Sequence, residues 1–178
     1  NTPGIPVDTT TDGTGVTIDM TQPALSPVTI MSSQSPAGID SVITLTFTSS
    51  EQLNDGTTVS IAGVAATDVS CDSSNVCTAT HTVAADDPQG EVEFSIEFAD
   101  AAGNTGVTVS APTDSSTATI DTVAPTLSPV TISASANPAK AGSVLTVTFT
   151  ASEALVAGTS VSIAGVAATD VSCDSSNV

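Results

Sequence analysis

The chain has 178 residues, a net charge of -18, one lysine and no arginine, no Trp or Tyr and only four Phe. A chain with a single basic side chain cannot neutralise a phosphate backbone, which excludes nucleic acid as a partner. Positive mean hydropathy with abundant Val, Ile, Thr and Ser points to an all-β fold, not to a disordered acidic chain.

Residues 1–19 align with residues 103–121, so the chain is expected to open on the closing strand region of a preceding repeat. From Thr17 the repeat is explicit. At an offset of 102 residues, 17–76 matches 119–178 at 42 of 60 positions, and 59–76 (VSIAGVAATDVSCDSSNV) recurs unchanged at 161–178. The expected organisation is therefore a closing region at 1–19, a complete repeat at 20–121 and an incomplete one at 122–178.

Within the complete repeat, strands are expected at 25–32, 41–49, 57–62, 65–71, 77–83, 91–99 and 106–120, the last broken near Pro112. Ile43, Leu45 and Phe47 alternate with Thr44, Thr46 and Thr48, and Val92, Phe94, Ile96 and Phe98 alternate with Glu91, Glu93, Ser95 and Glu97. Each reads as a half-buried strand with one face to water. Turn formers separate the strands at Asn54-Asp55-Gly56, Ala62-Gly63, Asp86-Asp87-Pro88-Gln89-Gly90 and 100–106. Seven short strands in about 100 residues match the size of a β-sandwich of the immunoglobulin type, and copying of a whole unit points to length or stiffness, not to catalysis.

Several stretches resemble the tandem bacterial Ig-like repeats of large secreted surface proteins and adhesins. They are TIDxxxPxLSPVTI at 17–30 and 119–132, TLTFTSSEQL from Thr44 with TVTFTASEAL from Thr146, HTVAADDPQGEVEFSIEFADAAGNTG from His81, and TDSSTATIDTVAPT from Thr113. The resemblance implies tandem immunoglobulin-like β-sandwich modules of about 102 residues, extracellular, serving as a stalk or spacer. The alternative is a subunit or segment of a self-assembled extracellular filament. Its partners would be neighbouring repeats or copies of itself, with any host or surface ligand bound through other domains. Where calcium stiffens such arrays, the ion sits at the module junction. The matching oxygen-bearing residues here are Asp100 and Asn104 after the sixth strand, Asp121 in the linker and Glu153, with Asp19 and Glu51 one repeat earlier. The same residues also fit solvated turns, because their spacing lacks the density of a dedicated calcium loop.

Cys71 and Cys77 flank DSSNV between two expected strands, so a hairpin would bring them face to face as a disulfide; a thiolate metal pair or two free thiols are the rivals. A disulfide in each repeat implies an oxidising compartment. Cys173 copies Cys71. His81 shares a strand face with Ala79 and Val83 and reads as a spacer at the core edge; Asp86 and Asp87 read as turn formers. No nucleophile motif accompanies His81, and Glu91 with Glu93 has no aromatic platform for a sugar, so an enzyme is not expected. No segment is long and apolar enough to span a bilayer.

Overall fold

The alternating runs form strands that pair antiparallel throughout. The computed structural model describes residues 14–15, 18–155 and 158–173, and divides the chain into two units, Asn1–Thr122 and Val123–Val178. Most of the expected closing region at 1–19 lies outside the described residues. Among the described residues there is no helix, and none that could cross a membrane.

In the first unit, β1 (Leu25–Ser32), β2 (Val42–Ser49), β5 (Asp68–Cys71) and β6 (Val76–Thr82) form a four-stranded sheet in the order β1-β2-β6-β5. A second sheet has the order β4-β3-β8, from β3 (Thr58–Ile61), β4 (Val64–Ala65) and β8 (Phe94–Glu97). A short pair joins β7 (Gly90–Glu91) to β9 (Thr119–Ile120). Both larger sheets feed one buried cluster: Val28, Ile30, Ile43, Leu45, Phe47, Cys77 and Ala79 from the first, Val59, Ile61, Phe94 and Ile96 from the second. The arrangement is consistent with a β-sandwich. With no Trp or Tyr available, small branched side chains and Phe fill the interior.

Local chemistry explains the joints. Pro27 lies in edge strand β1, where the register with β2 shifts between Leu25 and Val28; an edge bulge tolerates the missing amide proton. Ile61 pairs with Val64 across a two-residue turn in which Ala62 and Gly63 both have positive φ (55° and 79°), the backbone hand that matches strand twist. Gly106 is required for a different reason: a Cβ there would collide with the ring of Phe98.

Three expected strands differ. The 65–71 run divides into β4 and β5, which join different sheets. The 91–99 run keeps regular pairing only in β7 and β8. The 106–120 run is not a continuous strand. It touches the sheets at the isolated bridges Ile96 with Val109 and Ala37 with Ile120 and through the short pairing of β9 with β7, and side-chain hydroxyls replace the ladder between them. The Val28 amide donates to Thr113 Oγ1 (2.9 Å), the Ile30 amide to Ser116 Oγ (2.9 Å) and the Thr113 amide to the Val28 carbonyl (2.9 Å). The free edge of β1 is thereby covered.

The second unit repeats the register of the first. β10 (Leu127–Ala134) pairs with β11 (Leu145–Ala151) with Val130 opposite Phe149, as Val28 is opposite Phe47, and the same bulge recurs. β12 (Ser162–Ile163) and β13 (Val166–Ala167) repeat the β3–β4 hairpin, with Ala164 and Gly165 again at positive φ. Val130 and Ile132 are 57% and 65% exposed, whereas Val28 and Ile30 are 0% and 2%.

Candidate metal centre and disulfide hairpin

The loop after β8 turns back onto the start of its own unit. Leu53 bridges to Asp100 and the Asn54 amide donates to the Ala99 carbonyl (2.9 Å), which ties this loop to the segment following β2. That segment is joined to the entering chain: the Ser50 amide donates to the Ala24 carbonyl (2.9 Å) and the Ala24 amide to Ser50 Oγ (3.0 Å). Three loops therefore converge at one pole of the unit.

Asp19, Glu51 and Asp100 meet there, with one carboxylate oxygen from each lying within 4.8 Å of the others. Asp100 is 1% exposed. Its Oδ1 accepts the Asn104 amide (2.8 Å) and its Oδ2 accepts Asn104 Nδ2 (2.8 Å). Asn104 Nδ2 also donates to the Asp19 carbonyl (3.2 Å), while Asp19 Oδ1 accepts the Thr21 amide (2.9 Å). Burial raises the Asp100 pKa, but the Asn104 side chain and the amides of 102–104 outweigh it and hold the carboxyl below its usual range. Glu51 moves the other way: desolvation first, then the charges of Asp19 and Asp100, push it up.

The donor set is all oxygen, hard and negatively charged, which suits calcium rather than zinc. Three crowded carboxylates, one of them held ionised by its hydrogen bonds, would lose mutual repulsion on binding a divalent cation. Asp19, Glu51 and Asp100 would hold that cation, and Asn104 would set the orientation of Asp100.

The sequence groups Asp100 and Asn104 with Asp121 and Glu153 at the module junction, with Asp19 and Glu51 as counterparts one repeat earlier. Asp19, Glu51, Asp100 and Asn104 come together within the first unit. Asp121, in the same unit, is not a member of that cluster. The Asp121 amide donates to the Ala37 carbonyl (2.9 Å), and Glu153 follows β11 in the position that Glu51 occupies after β2. The reason is the fold of the 100–104 loop, which is anchored at Leu53 and Asn54 and so faces the acids one repeat earlier.

Cys71 and Cys77 form a disulfide, paired directly across the end of the β5–β6 ladder with their Cα atoms 3.9 Å apart. The turn between them is capped by Asp72, whose Oδ1 accepts the amides of Ser74 (2.8 Å) and Val76 (3.0 Å). A cleft of about 400 Å³ beside the hairpin has Glu51, Asp55 and Asp72 in its lining, together with Leu53, Val69 and the disulfide. Cys173, which stands one repeat after Cys71, is exposed.

His81 has a partner that its sequence context did not suggest. Its Nε2 lies 2.6 Å from Asp87 Oδ2, and both side chains are buried, at 9% and 4% exposure. Asp87 is a turn residue as expected, since its Oδ2 also accepts the Ala84 amide (2.9 Å). The detectable signal was the single histidine on an inward-facing strand position followed six residues later by an aspartate before proline.

No protein-family model, curated protein or solved structure matches this chain.

Proposed function

We propose that the chain is a structural spacer, a run of tandem Ig-like modules from the extracellular stalk of a large microbial surface adhesin. The observation that carries this reading is that the chain is pegged where it enters and where it leaves the first unit, at equivalent residues. On entry Asp19 is held through its carbonyl by Asn104 (3.2 Å). On exit the Asp121 amide is held by the Ala37 carbonyl (2.9 Å) and the Thr122 amide by Gln89 Oε1 (2.9 Å). Residues 19 and 121 are one repeat apart. In a tandem array the same aspartate serves as exit peg for one module and entry peg for the next, which leaves no slack residues between them and supports stiffness.

The carboxylate cluster adds to this reading. A divalent cation held by Asp19, Glu51 and Asp100 would fasten the entering segment to two loops of the module, so the stalk would stiffen in a calcium-containing exterior. The disulfide suits an oxidising location outside the cell. Neighbouring repeats are the partners this arrangement requires.

Electron microscopy of the native material with and without a calcium chelator tests the proposal. Thin, isolated strings with a regular bead, softened by chelation, are expected. Thick ordered fibres with lateral packing that ignore the chelator would overturn it in favour of a filament subunit.

A further inference from the structure

The buried His81–Asp87 pair belongs neither to the carboxylate cluster nor to the disulfide hairpin, and it sits at the base of a loop that reaches the linker. The Ala84 amide donates to Asp87 Oδ2 (2.9 Å), and the Asp87 amide donates back to the Ala84 carbonyl (3.3 Å). The Asp87 carbonyl then accepts Gln89 Nε2 (3.1 Å), which orients the Gln89 amide. That amide grips the linker with both ends: Nε2 donates to Thr122 Oγ1 (2.7 Å), and Oε1 accepts the Thr122 amide (2.9 Å). An unbroken set of hydrogen bonds thus runs from the only imidazole of the chain to the last residue of the first unit.

The imidazole is placed so that its charge matters. Asp87 is the charged group in contact with it, at 2.6 Å. Its cross-strand neighbour on β2 is Ile43, which is fully buried and apolar. The other carboxylates on adjoining segments are Asp40 before β2, Asp68 opposite Thr80 on β5 and Asp86 in the loop, all exposed. The single basic side chain, Lys140, belongs to the second unit. Because Asp87 Oδ2 is an acceptor, Nε2 carries a proton; protonation at Nδ1 makes the bond an ion pair, and its loss leaves a neutral donor on a carboxylate.

We propose that His81, Asp87 and Gln89 form a protonation-sensitive clasp on the linker, in which the imidazolium–carboxylate pair holds the 84–89 loop so that Gln89 grips Thr122, and loss of the imidazole proton loosens that grip. Histidine is the side chain whose charge ordinarily changes near neutral pH, which makes the imidazole the group whose charge state the test must follow. In a stalk such a clasp would make linker stiffness pH-dependent; that consequence rests on the spacer reading, whereas the clasp is a property of one chain and is tested there.

The test is an NMR titration of the full chain between about pH 5 and pH 8, the range in which histidines titrate. It follows the ring signals of His81, unambiguous because it is the only histidine, together with the Thr122 backbone amide and the Gln89 side-chain amide. The Thr122 protection factor, referred to the unstructured-chain rate at each pH, should fall about fivefold as the imidazole deprotonates, with the same midpoint, reflecting loss of charge assistance. His81→Gln, which keeps a neutral donor, should make it independent of pH, and Gln89→Ala should lower it at every pH. Asp87→Asn gives a second route to the same flattening if His81→Gln does not fold. A Thr122 amide that stays constant while His81 titrates, or a pH dependence that persists in either charge-removing variant, would overturn the proposal.

Discussion

Reducing the Cys71–Cys77 bond opens a loop of six residue steps, and the structure sets how far the damage spreads. In the chain-entropy model a loop this short is worth about 2 kcal/mol at 25 °C. The consequence should be confined to the hairpin tip. β6 keeps its seven-pair ladder with β2, from Val42–Thr82 to Thr48–Val76, and the Asp72 carboxylate still caps the turn through the Ser74 and Val76 amides. A domain of this size is stable by about 5–15 kcal/mol, so the unit stays folded at ambient temperature. Its Tm should fall by about 8–16 °C, on the basis of about 4–8 °C per kcal/mol. Thermal melts with and without reductant give the shift, and hydrogen exchange should show faster opening of β5 with little change in β1 and β2. Unfolding at ambient temperature, or a Tm shift below about 2 °C, would refute the local-pin reasoning.

Ile30→Ala should cost about 2–5 kcal/mol in urea denaturation, because Ile30 is 2% exposed and packed in the core of the first unit. Gly106→Ala drives a methyl into the Phe98 ring and should destabilise the first unit by about 1–3 kcal/mol, measured the same way. Calcium should raise the Tm of the first unit, with about 2.7 kcal/mol of stabilisation at a hundredfold excess over Kd, and Asp100→Asn should abolish the effect. Because desolvation, then Asp19 and Asp100, push Glu51 up, calcium binding should release protons below that raised value, and as pH rises through it the release should fade while calcium affinity climbs; isothermal calorimetry in two buffers reads both. Asp87 and Asp100 have the opposite sign: burial raises each, but hydrogen bonds leave both lowered. Their stabilising contributions are present above the ordinary aspartate value of about 3.9 and are lost as pH falls through the lower folded values, a decline that acid denaturation should show.

The strands legible in the sequence were those whose alternation matches the burial of one face. β2 and β6, and β1 from Val28 onward, have period-two alternation and a face buried by the opposing sheet, so one register satisfies both. The 106–120 stretch misled because hydroxyls of Thr113 and Ser116 supply bonds that a ladder would otherwise make, and periodicity cannot reveal a side chain standing in for a backbone amide. The 65–71 run concealed a change of sheet, which leaves no compositional mark. For the candidate centre, the residue types were readable and their grouping was not. A sequence offset makes Asp19 equivalent to Asp121, and only the anchoring of the 100–104 loop at Leu53 and Asn54 decides which of them Asp100 faces. The His81–Asp87 pair escaped because the intervening loop reverses direction, which brings a turn aspartate beneath a strand histidine.

Single-molecule pulling on native material carrying several repeats tests the spacer account most directly. The account predicts a regular sawtooth in which each event releases the length of one 102-residue module at about 3.3–3.6 Å per residue, less its folded span and the residues locked behind the disulfide, with reductant lengthening each step by that locked segment. Irregular steps, or a single rupture with no module-sized release, would contradict it.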